Sequence, residues 1–332
     1  MNLLIDRTRG LDARGIAFAL SSAIMLGLAP VFGKQAILGG LDPLSTVALR
    51  TTGAAILLFV ALAFFGTKYF YIFPLGLAGC ALAGLFNGLG SVFFYAALGR
   101  IDASLGQFLF TLYPIFVAVL VYLDGQRSSR LTVLRLAISG AAVLLLTQQN
   151  NGSVDLLGVL FMLIAALLYA LHIPINQRVL YEVPAPTVTF YTLAAMTLVV
   201  VPIKLILSDF SVSIPGSSMQ PLFWLTLVTF GSRLALFAGV KAIGGVQTAL
   251  IGLLELIVTV VMAGILLGES LSARQWLGAL LLVITLLLTV FERETQPTRF
   301  TRGWLFWLRP SDQMELHDSE PSQASEPPPE PD

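Results

Sequence analysis

Two ionisable side chains of opposite charge lie deep inside apolar stretches of the sequence. Glu255 has apolar or small uncharged neighbours, and the next ionisable residue after it is Glu269, about 21 Å further along by helical rise. Arg233 lies in the preceding apolar stretch, about 12 Å from Lys241 by the same measure. Glu255 is about 12 Å from Gln247, so the two charges have similar depths and we predict a direct or water-bridged pair. Either the pair is structural, or the Glu255 carboxylate binds a cationic or amino group of a solute or a coupling proton.

Other polar side chains recur at helical spacing in the same apolar stretches, and such residues share one face of a helix. In a bundle of apolar helices these faces line an internal path or join helices by hydrogen bonds, and both alternatives stay open for Asn87, Ser91 and Tyr95. Lys34 and Arg50 lie within about 10 Å of a predicted boundary, where we expect long side chains to reach water. The candidate residues for a central cavity are Glu255, Arg233, Asn87, Ser91, Tyr95, Gln107, Tyr113, Tyr169, His172, Asn176 and Gln247.

The residue types do not indicate catalysis or a metal site. His172 has no His, Cys or Asp partner at ligand spacing, and the single cysteine, Cys80, excludes an internal disulfide and a cysteine cluster. The sequence has neither a Walker-type phosphate loop nor the paired carboxylates or Ser/His pair that a membrane enzyme needs. We therefore predict no enzyme activity and no cofactor.

The composition of the chain indicates what kind of structural element holds these residues in position. The 332 residues are 56% hydrophobic and only 11% charged, whereas soluble domains average about 25% charged residues. Zero net charge and the lack of a basic patch argue against nucleic acid as a partner. Apolar stretches of about 20 residues are typical of membrane spans. Ten are predicted, at 15–38, 44–65, 71–98, 102–123, 131–147, 156–180, 186–207, 219–241, 245–267 and 273–291.

The basic residues predict the orientation of these spans. With the N-terminus inside, thirteen of the 19 Lys and Arg residues fall in inward segments, and only Arg100, Lys204 and Arg274 fall in outward ones. Cytoplasmic segments carry an excess of Lys and Arg. We therefore predict a multi-pass protein of the cell membrane with both termini in the cytoplasm.

The two halves of the chain match at a common offset. Asp12 and Gly15 align with Asp155 and Gly158, and the same offset of 143 residues pairs Pro43 with Pro186. Because each half has five spans, the second must enter the membrane upside down, as in many secondary transporters. The predicted fold class is an all-α integral membrane protein with ten transmembrane helices in two inverted five-helix repeats around a central cavity.

The predicted organisation follows from the repeats and the ends. Residues 1–14 form a cytoplasmic N-terminus, and 15–147 and 156–291 form the two repeats. Residues 292–310, with "GWLFWL" at 303–308, predict an interfacial segment. The proline-rich acidic tail at 311–332 is predicted to be disordered.

Three stretches resemble the EamA-type drug/metabolite transporter superfamily. They are "DPLSTVALR", with Pro43 and Arg50 at the family's spacing, "YAALGRIDASLGQFLFTLYPIFVAVL" at 95–120, and "LLELIVTVVMAGILLGESLSARQWLGALLLV" at 253–283. The resemblance implies two inverted repeats, and a cavity lined mainly by the first, third, fourth, sixth, eighth and ninth helices.

Two positions depart from the family pattern. Leu256 stands where the ninth span usually has proline, which puts a kink there in doubt, and Gln126 replaces the first-half glutamate of the Leu-Gly-Glu ending. The fourth span keeps Pro114, and aligning the two spans makes Tyr113 the first-half counterpart of Glu255.

The expected function is secondary transport, with export of small organic metabolites by alternating access. The expected partners are a small-molecule solute, a coupling proton and the lipid bilayer, in a monomer or homodimer. A channel or sensor is the alternative, and a membrane-embedded enzyme is less favoured. Amino acids, amines, nucleosides and drugs all fit a cavity of this polarity.

Overall fold

The computed structural model describes residues 13–123, 130–147, 155–208, 213–243, 248 and 251–290. These residues form α-helices, with one 3-10 helix at Thr67–Phe70, and no strand occurs among them. The α-helices are α1 (Ala13–Leu38), α2 (Pro43–Phe65), α3 (Pro74–Leu98), α4 (Ala103–Phe110), α5 (Tyr113–Leu123), α6 (Arg130–Leu146), α7 (Leu156–Glu182), α8 (Ala185–Leu207), α9 (Gly216–Ile243), α10 (Leu254–Leu267) and α11 (Ala273–Val290). The predicted interfacial segment and acidic tail lie outside the described residues.

Six of these helices are long and apolar enough to cross a membrane: α1, α2, α3, α7, α8 and α9. Large apolar side chains also face outward, as a lipid environment allows but water does not. Phe64 is 80% exposed and Ile206 is 79% exposed, while Met162 and Leu225 are fully buried between helices. The described part of the chain is thus all-helical, and the protein is a multi-pass membrane protein.

The fourth predicted span is two helices. α4 ends at Phe110 and α5 begins at Tyr113, with Pro114 in its first turn. Proline has no N–H group and cannot donate to the carbonyl four residues earlier, so the helix is interrupted there.

The ninth predicted span is also interrupted, although its proline is missing. A turn at Leu253 precedes α10, and the Leu256 amide bonds the Leu253 carbonyl three residues back at 3.3 Å. Gly252, a weak helix former, immediately precedes this turn. A turn thus occurs in this span without proline, next to a glycine and a three-residue hydrogen bond, and whether the helix axis kinks there stays a prediction.

The helices of the first half of the chain run antiparallel to their partners in the second half. α1 is antiparallel to α9, because Gly15 near its start faces Ile243 at the end of α9, and the Ser217 hydroxyl donates to the Gly39 carbonyl at 2.7 Å. In the same way α3 is antiparallel to α7, where Gly79 faces Val179. The contacts α1–α9 and α3–α7 exchange when the halves are exchanged, as inverted repeats require.

Glycines allow these helices to approach closely. A methyl group at Gly84 of α3 would lie 2.4 Å from the Ala195 side chain, and one at Gly79 would lie 2.5 Å from Val179. Small residues at such positions let two helix backbones approach closely. Close packing matters in a membrane, because the hydrophobic effect does not drive helices together there.

Aspartates and a lysine stabilise several helix ends. Asp155 caps α7 by accepting bonds from the Leu157 and Gly158 amides, and the bond from the Arg100 guanidinium holds the pKa of this exposed carboxyl below its usual range. Lys34, near the end of α1, donates to the Leu98 carbonyl at 2.7 Å and to the Ile101 carbonyl at 2.9 Å. A cation at these carbonyls complements the helix dipole, so the partly buried Lys34 joins the ends of α1 and α3.

Candidate binding site

Two cavities follow one another along the centre of the bundle. We call the end where Lys34 meets Leu98 the upper end, and the end where α1 begins the lower end. The upper cavity measures about 80 Å³ and the lower about 90 Å³. Each has room for a few water molecules but is smaller than the roughly 300–1,000 Å³ typical of small-molecule pockets. The central path is therefore narrow in this conformation.

Polar side chains from both halves line the two cavities. The upper cavity is lined by Arg50, Asn87, Ser91, Tyr95, Gln107, Tyr169, Arg233 and Glu255, among others. The lower cavity is lined by Tyr113, Tyr169, His172, Asn176, Gln177, Thr248 and Glu255, among others. Of the predicted residues, Gln247 lies outside the described residues, and each of the other ten lines at least one cavity.

Aromatic rings separate the cavities. Phe110 and Tyr113 stand on either side of the break between α4 and α5, and each ring centroid is 5.0 Å from that of Tyr169 on α7. We call these three residues the aromatic barrier. Tyr169, Leu26 and Glu255 line both cavities, so the barrier and the carboxylate meet where the helices are broken.

Glu255 is in the first turn of α10. Backbone amides at a helix N-terminus favour a negative charge, so the break before α10 gives the carboxylate a suitable position. The Gln107 amide donates to Glu255 Oε1 at 2.7 Å. On α1, a methyl group at Gly27 would lie 2.6 Å from the Glu255 carbonyl oxygen, and the Thr259 hydroxyl donates to the Gly27 carbonyl at 2.7 Å. Glycine at position 27 thus lets α1 pack directly against the turn that holds Glu255.

Arg233 does not pair with Glu255. No ion pair joins these two described side chains, and Arg233 instead donates to Asn87 Oδ1 at 3.3 Å. The direct form of the predicted pair was wrong, and the water-bridged form stays a prediction. Gln107, on another helix, donates to one of the two carboxylate oxygens. Equal depths along two helices do not decide in which direction the two side chains point.

Arg50 also belongs to the upper cavity, and its expected exposure to water was wrong. The residue is 6% exposed, donates to Ser91 Oγ at 3.1 Å and Thr229 Oγ1 at 3.3 Å, and lies 4.6 Å from the Tyr95 ring centroid. A signal was present in the sequence. Thr46 and Gly53, four residues before and three after Arg50, place polar and small residues on the same helical face, which is typical of an inward face.

His172 is held by a chain of hydrogen bonds that also includes Arg233. Because Asn87 Oδ1 accepts from Arg233, the Asn87 amide group donates to His172 Nε2 at 3.2 Å. His172 Nδ1 then donates to the Ala83 carbonyl at 3.0 Å. An imidazole that donates from one nitrogen and accepts at the other is neutral. His172 therefore fixes the side chain that orients Arg233.

The described residues contain no group of three or more His, Cys, Asp or Glu that could hold a metal ion. The polar groups of the cavities are instead guanidinium, amide, hydroxyl and carboxylate groups, which recognise organic solutes by charge and hydrogen bonding.

Glu269 joins the two halves above the cavity. Its carboxylate accepts from the Ala103 amide at 2.7 Å and the Ser104 amide at 2.9 Å, and so caps α4 from the other half of the chain. Asp102, the residue before α4, makes no capping bond. Partial burial of its carboxyl group, followed by repulsion from Glu269, raises the pKa of Asp102, although Lys34 opposes the shift.

The fold and the site together define a class: a helical membrane protein of two oppositely directed repeats with a central polar path. The family model of the EamA-like transporter family matches residues 13–148 and again 156–291. The chain therefore belongs to the EamA-like transporter family.

One solved crystal structure of another protein superposes with a TM-score of 0.59 at 16% sequence identity, over 82% of this chain and 95% of that chain. At this identity the likeness concerns the fold alone. Among proteins with curated descriptions, none matches this sequence.

Proposed function

We propose that this protein is a secondary transporter that exports small organic solutes by alternating access. The observation that supports the proposal best is the pair of cavities on opposite sides of the aromatic barrier. A solute bound beside Tyr169 and Glu255 adjoins both cavities, so small movements at the helix breaks would expose it to one end or the other.

The helix breaks are the places where the proposed movement would occur. α5 and α10 both begin close to the barrier, at Tyr113 and Leu254, and each half contributes one of them. Interrupted helices near the middle of the membrane are typical of transporter binding sites, because free backbone groups and helix ends face the solute there. Glu255 then binds a cationic part of the solute or a coupling proton.

Ten membrane spans, a location in the cell membrane and cytoplasmic termini are parts of the same proposal. Family membership favours transport over catalysis. A channel is disfavoured because, among the described residues, the aromatic barrier leaves two small cavities and no continuous wide pore in this conformation.

Solute flux tests the proposal. Media from cells that overexpress the protein and from cells that lack it are compared by metabolite profiling, and each solute enriched by overexpression is then assayed in proteoliposomes with the purified protein. A carrier gives saturable uptake that is stimulated by the same solute on the opposite side. Uptake that rises linearly with concentration would indicate a channel, and equal media from the two cell types would contradict export.

A further inference from the structure

Two guanidinium groups face the upper cavity without a carboxylate partner. Arg50 is 6% exposed and Arg233 is 8% exposed. No carboxylate of the described residues forms an ion pair with either one. Their side-chain partners are neutral: Ser91 and Thr229 for Arg50, and Asn87 for Arg233.

These hydrogen bonds are long for a charged donor. They measure 3.1 to 3.3 Å, whereas bonds from a guanidinium to a carboxylate are about 2.7–2.9 Å. The Nε atom of Arg50 is buried and has no partner at all. A guanidinium has five N–H donors, and burying its charge costs free energy unless the charge is paired. These unsatisfied donors and unpaired charges favour the binding of an oxyanion.

Arg50 and Arg233 lie one after the other along the same side of the upper cavity. Thr229 and Arg233 lie one turn apart on α9, and Ser91 and Asn87 lie one turn apart on α3. Since Arg50 bonds the upper member of each pair and Arg233 bonds Asn87, the guanidiniums follow one another along the cavity. Both guanidiniums line the same cavity, and their like charges repel each other. An anion between them would remove that repulsion.

The remaining contacts hold the fork of donors in place. Arg50 lies over the Tyr95 ring, with 4.6 Å between its central carbon and the ring centroid, and the aromatic face favours a cation. Arg233 is held through Asn87, which His172 fixes in turn. Arginines restrained in this way are preorganised for a planar carboxylate, which can accept two parallel hydrogen bonds.

Charge balance indicates how many negative charges the occupant carries. The upper cavity is lined by two guanidiniums and by the Glu255 carboxyl, whose Oε1 is taken by Gln107. With Glu255 ionised, the lining has one net positive charge, which one carboxylate neutralises. A phosphate group at neutral pH, with about two negative charges, would leave an uncompensated negative charge in a poorly solvated site.

We propose that the transported solute carries a carboxylate group, which binds between Arg50 and Arg233 in the upper cavity. The proposal rests on the transport function proposed above and specifies its substrate class. The uncharged part of the solute then extends toward Tyr169 and the aromatic barrier. Glu255, on α10, lines the same cavity and receives an amino group where the solute has one.

Binding to purified full-length protein in detergent tests the carboxylate. The probes are 4-methylpentanoate, 3-phenylpropanoate and leucine, each beside its primary amide, together with inorganic phosphate. At least one carboxylate should raise the melting temperature and bind with a dissociation constant about tenfold or more below that of its amide. Equal binding of carboxylate and amide, binding of phosphate alone, or binding of none of the three carboxylates would overturn the proposal.

Variants locate the bound group. Arg50→Gln and Arg233→Gln should each weaken carboxylate binding about tenfold or more and leave amide binding unchanged. Arg50→Lys and Arg233→Lys keep the charge and the fold but lose the guanidinium group that can donate two parallel hydrogen bonds. They should therefore weaken binding by an intermediate factor. Arg100→Gln is the matched control, because Arg100 pairs with Asp155 outside both cavities. Carboxylate binding that survives every change at Arg50 and Arg233 would show that the site lies elsewhere.

Measurements of solute flux distinguish a failure of the carboxylate site from a failure of the transport function. If solutes are exported in a saturable way but carboxylates neither compete nor bind, transport stands and the carboxylate site is wrong. If carboxylates bind in an arginine-dependent way but no solute is moved, the site stands and transport is wrong.

Discussion

At the scale of single residues, the same side-chain type has different roles according to what surrounds it. Arg100 pairs with Asp155 at an exposed helix end, where water screens the two charges and the pair contributes little to stability. Arg50 and Arg233 are buried among hydroxyl, amide and aromatic groups and face a cavity. Buried charges without a charged partner are costly, and inside a membrane they are typical of functional sites.

Glu255→Gln separates a functional carboxylate from a structural one. Glu255 forms no ion pair with Arg233, and a glutamine at 255 can still accept the hydrogen bond from Gln107. We therefore expect the variant to reach the membrane and to melt within about 1 °C of the wild type, since a change well below 1 kcal/mol shifts melting only slightly in a chain of this size. Solute flux should fall by about tenfold or more, as the loss of one charged hydrogen bond predicts, or else flux should lose its dependence on pH.

Glu182→Gln is the matched control for this experiment. Glu182 forms an exposed pair with Arg178 one turn earlier on α7, so its neutralisation should change neither flux nor melting. Wild-type flux by Glu255→Gln at every pH would show that the carboxylate has no role in transport. A large loss of stability would show that it is structural after all.

At the scale of helices, the breaks and the caps determine where functional groups meet. The interruption at Pro114 places Phe110 and Tyr113 on either side of a turn, and the turn at Leu253 places Glu255 at the start of α10. Glu269 then ties the first turn of α4 to the loop that follows α10. Two broken helices from opposite halves are thus connected directly above the upper cavity.

Two aspartates that precede helices at the upper end should respond differently to replacement by alanine. The Asp42 side chain accepts from the Ser45 amide at 2.9 Å, so Asp42→Ala should lower the free energy of unfolding by about 1 kcal/mol. Asp102→Ala should lower it by much less or raise it, because Glu269 already caps α4. Thermal or denaturant unfolding of the purified protein measures both changes, and an equal loss in the two variants would contradict the assignment of the cap to Glu269.

The Asp102 variant should also change the dependence of stability on pH. Because the folded state raises the pKa of Asp102, the ionised carboxylate is disfavoured in the fold at neutral pH, and this cost is relieved as the pH falls toward the ordinary value of 3.8. The stability of the wild type relative to Asp102→Ala should therefore rise on acidification from neutral pH. A wild type that loses stability relative to the variant on acidification would show that the net effect of Asp102, Glu269 and Lys34 has the opposite sign.

At the scale of the whole molecule, two oppositely directed halves build one path. The helix pairs α1–α9 and α3–α7 are equivalent under exchange of the halves, and each half supplies one broken helix to the centre. Under the proposed alternating access, the exchange of the two halves would give two related conformations that open to opposite ends. The unequal residues at the centre, Tyr113 in one half and Glu255 in the other, make the two openings chemically different.

Reporter fusions should establish the orientation of the chain in the membrane. From the excess of Lys and Arg in alternate connections, fusions after Gln126 and after Thr295 should report the cytoplasm, and a fusion near Asn151 should report the opposite side. These three positions lie outside the described residues. A cytoplasmic signal at Asn151 would contradict five spans in each half and the predicted inversion.

Much of the architecture was predictable from the sequence because it depends on local properties. Hydrophobic length predicts membrane helices, since each helix satisfies its own backbone hydrogen bonds. Helical period places Asn87, Ser91 and Tyr95 on one face, and Pro114 explains one of the two breaks. The common offset of Asp12 with Asp155 and of Pro43 with Pro186 indicated the two halves.

Only the tertiary structure decided which of these groups meet. Glu255 bonds Gln107 and not Arg233, Arg50 turns inward, and Glu269 caps a helix 165 residues away in the sequence. These pairings depend on how far each helix is rotated about its axis and how closely it approaches its neighbours. Contacts such as that of Gly27 with the Glu255 carbonyl fix both quantities. Hydrophobic pattern and depth leave them open, because a rotation that exchanges one polar neighbour for another changes neither.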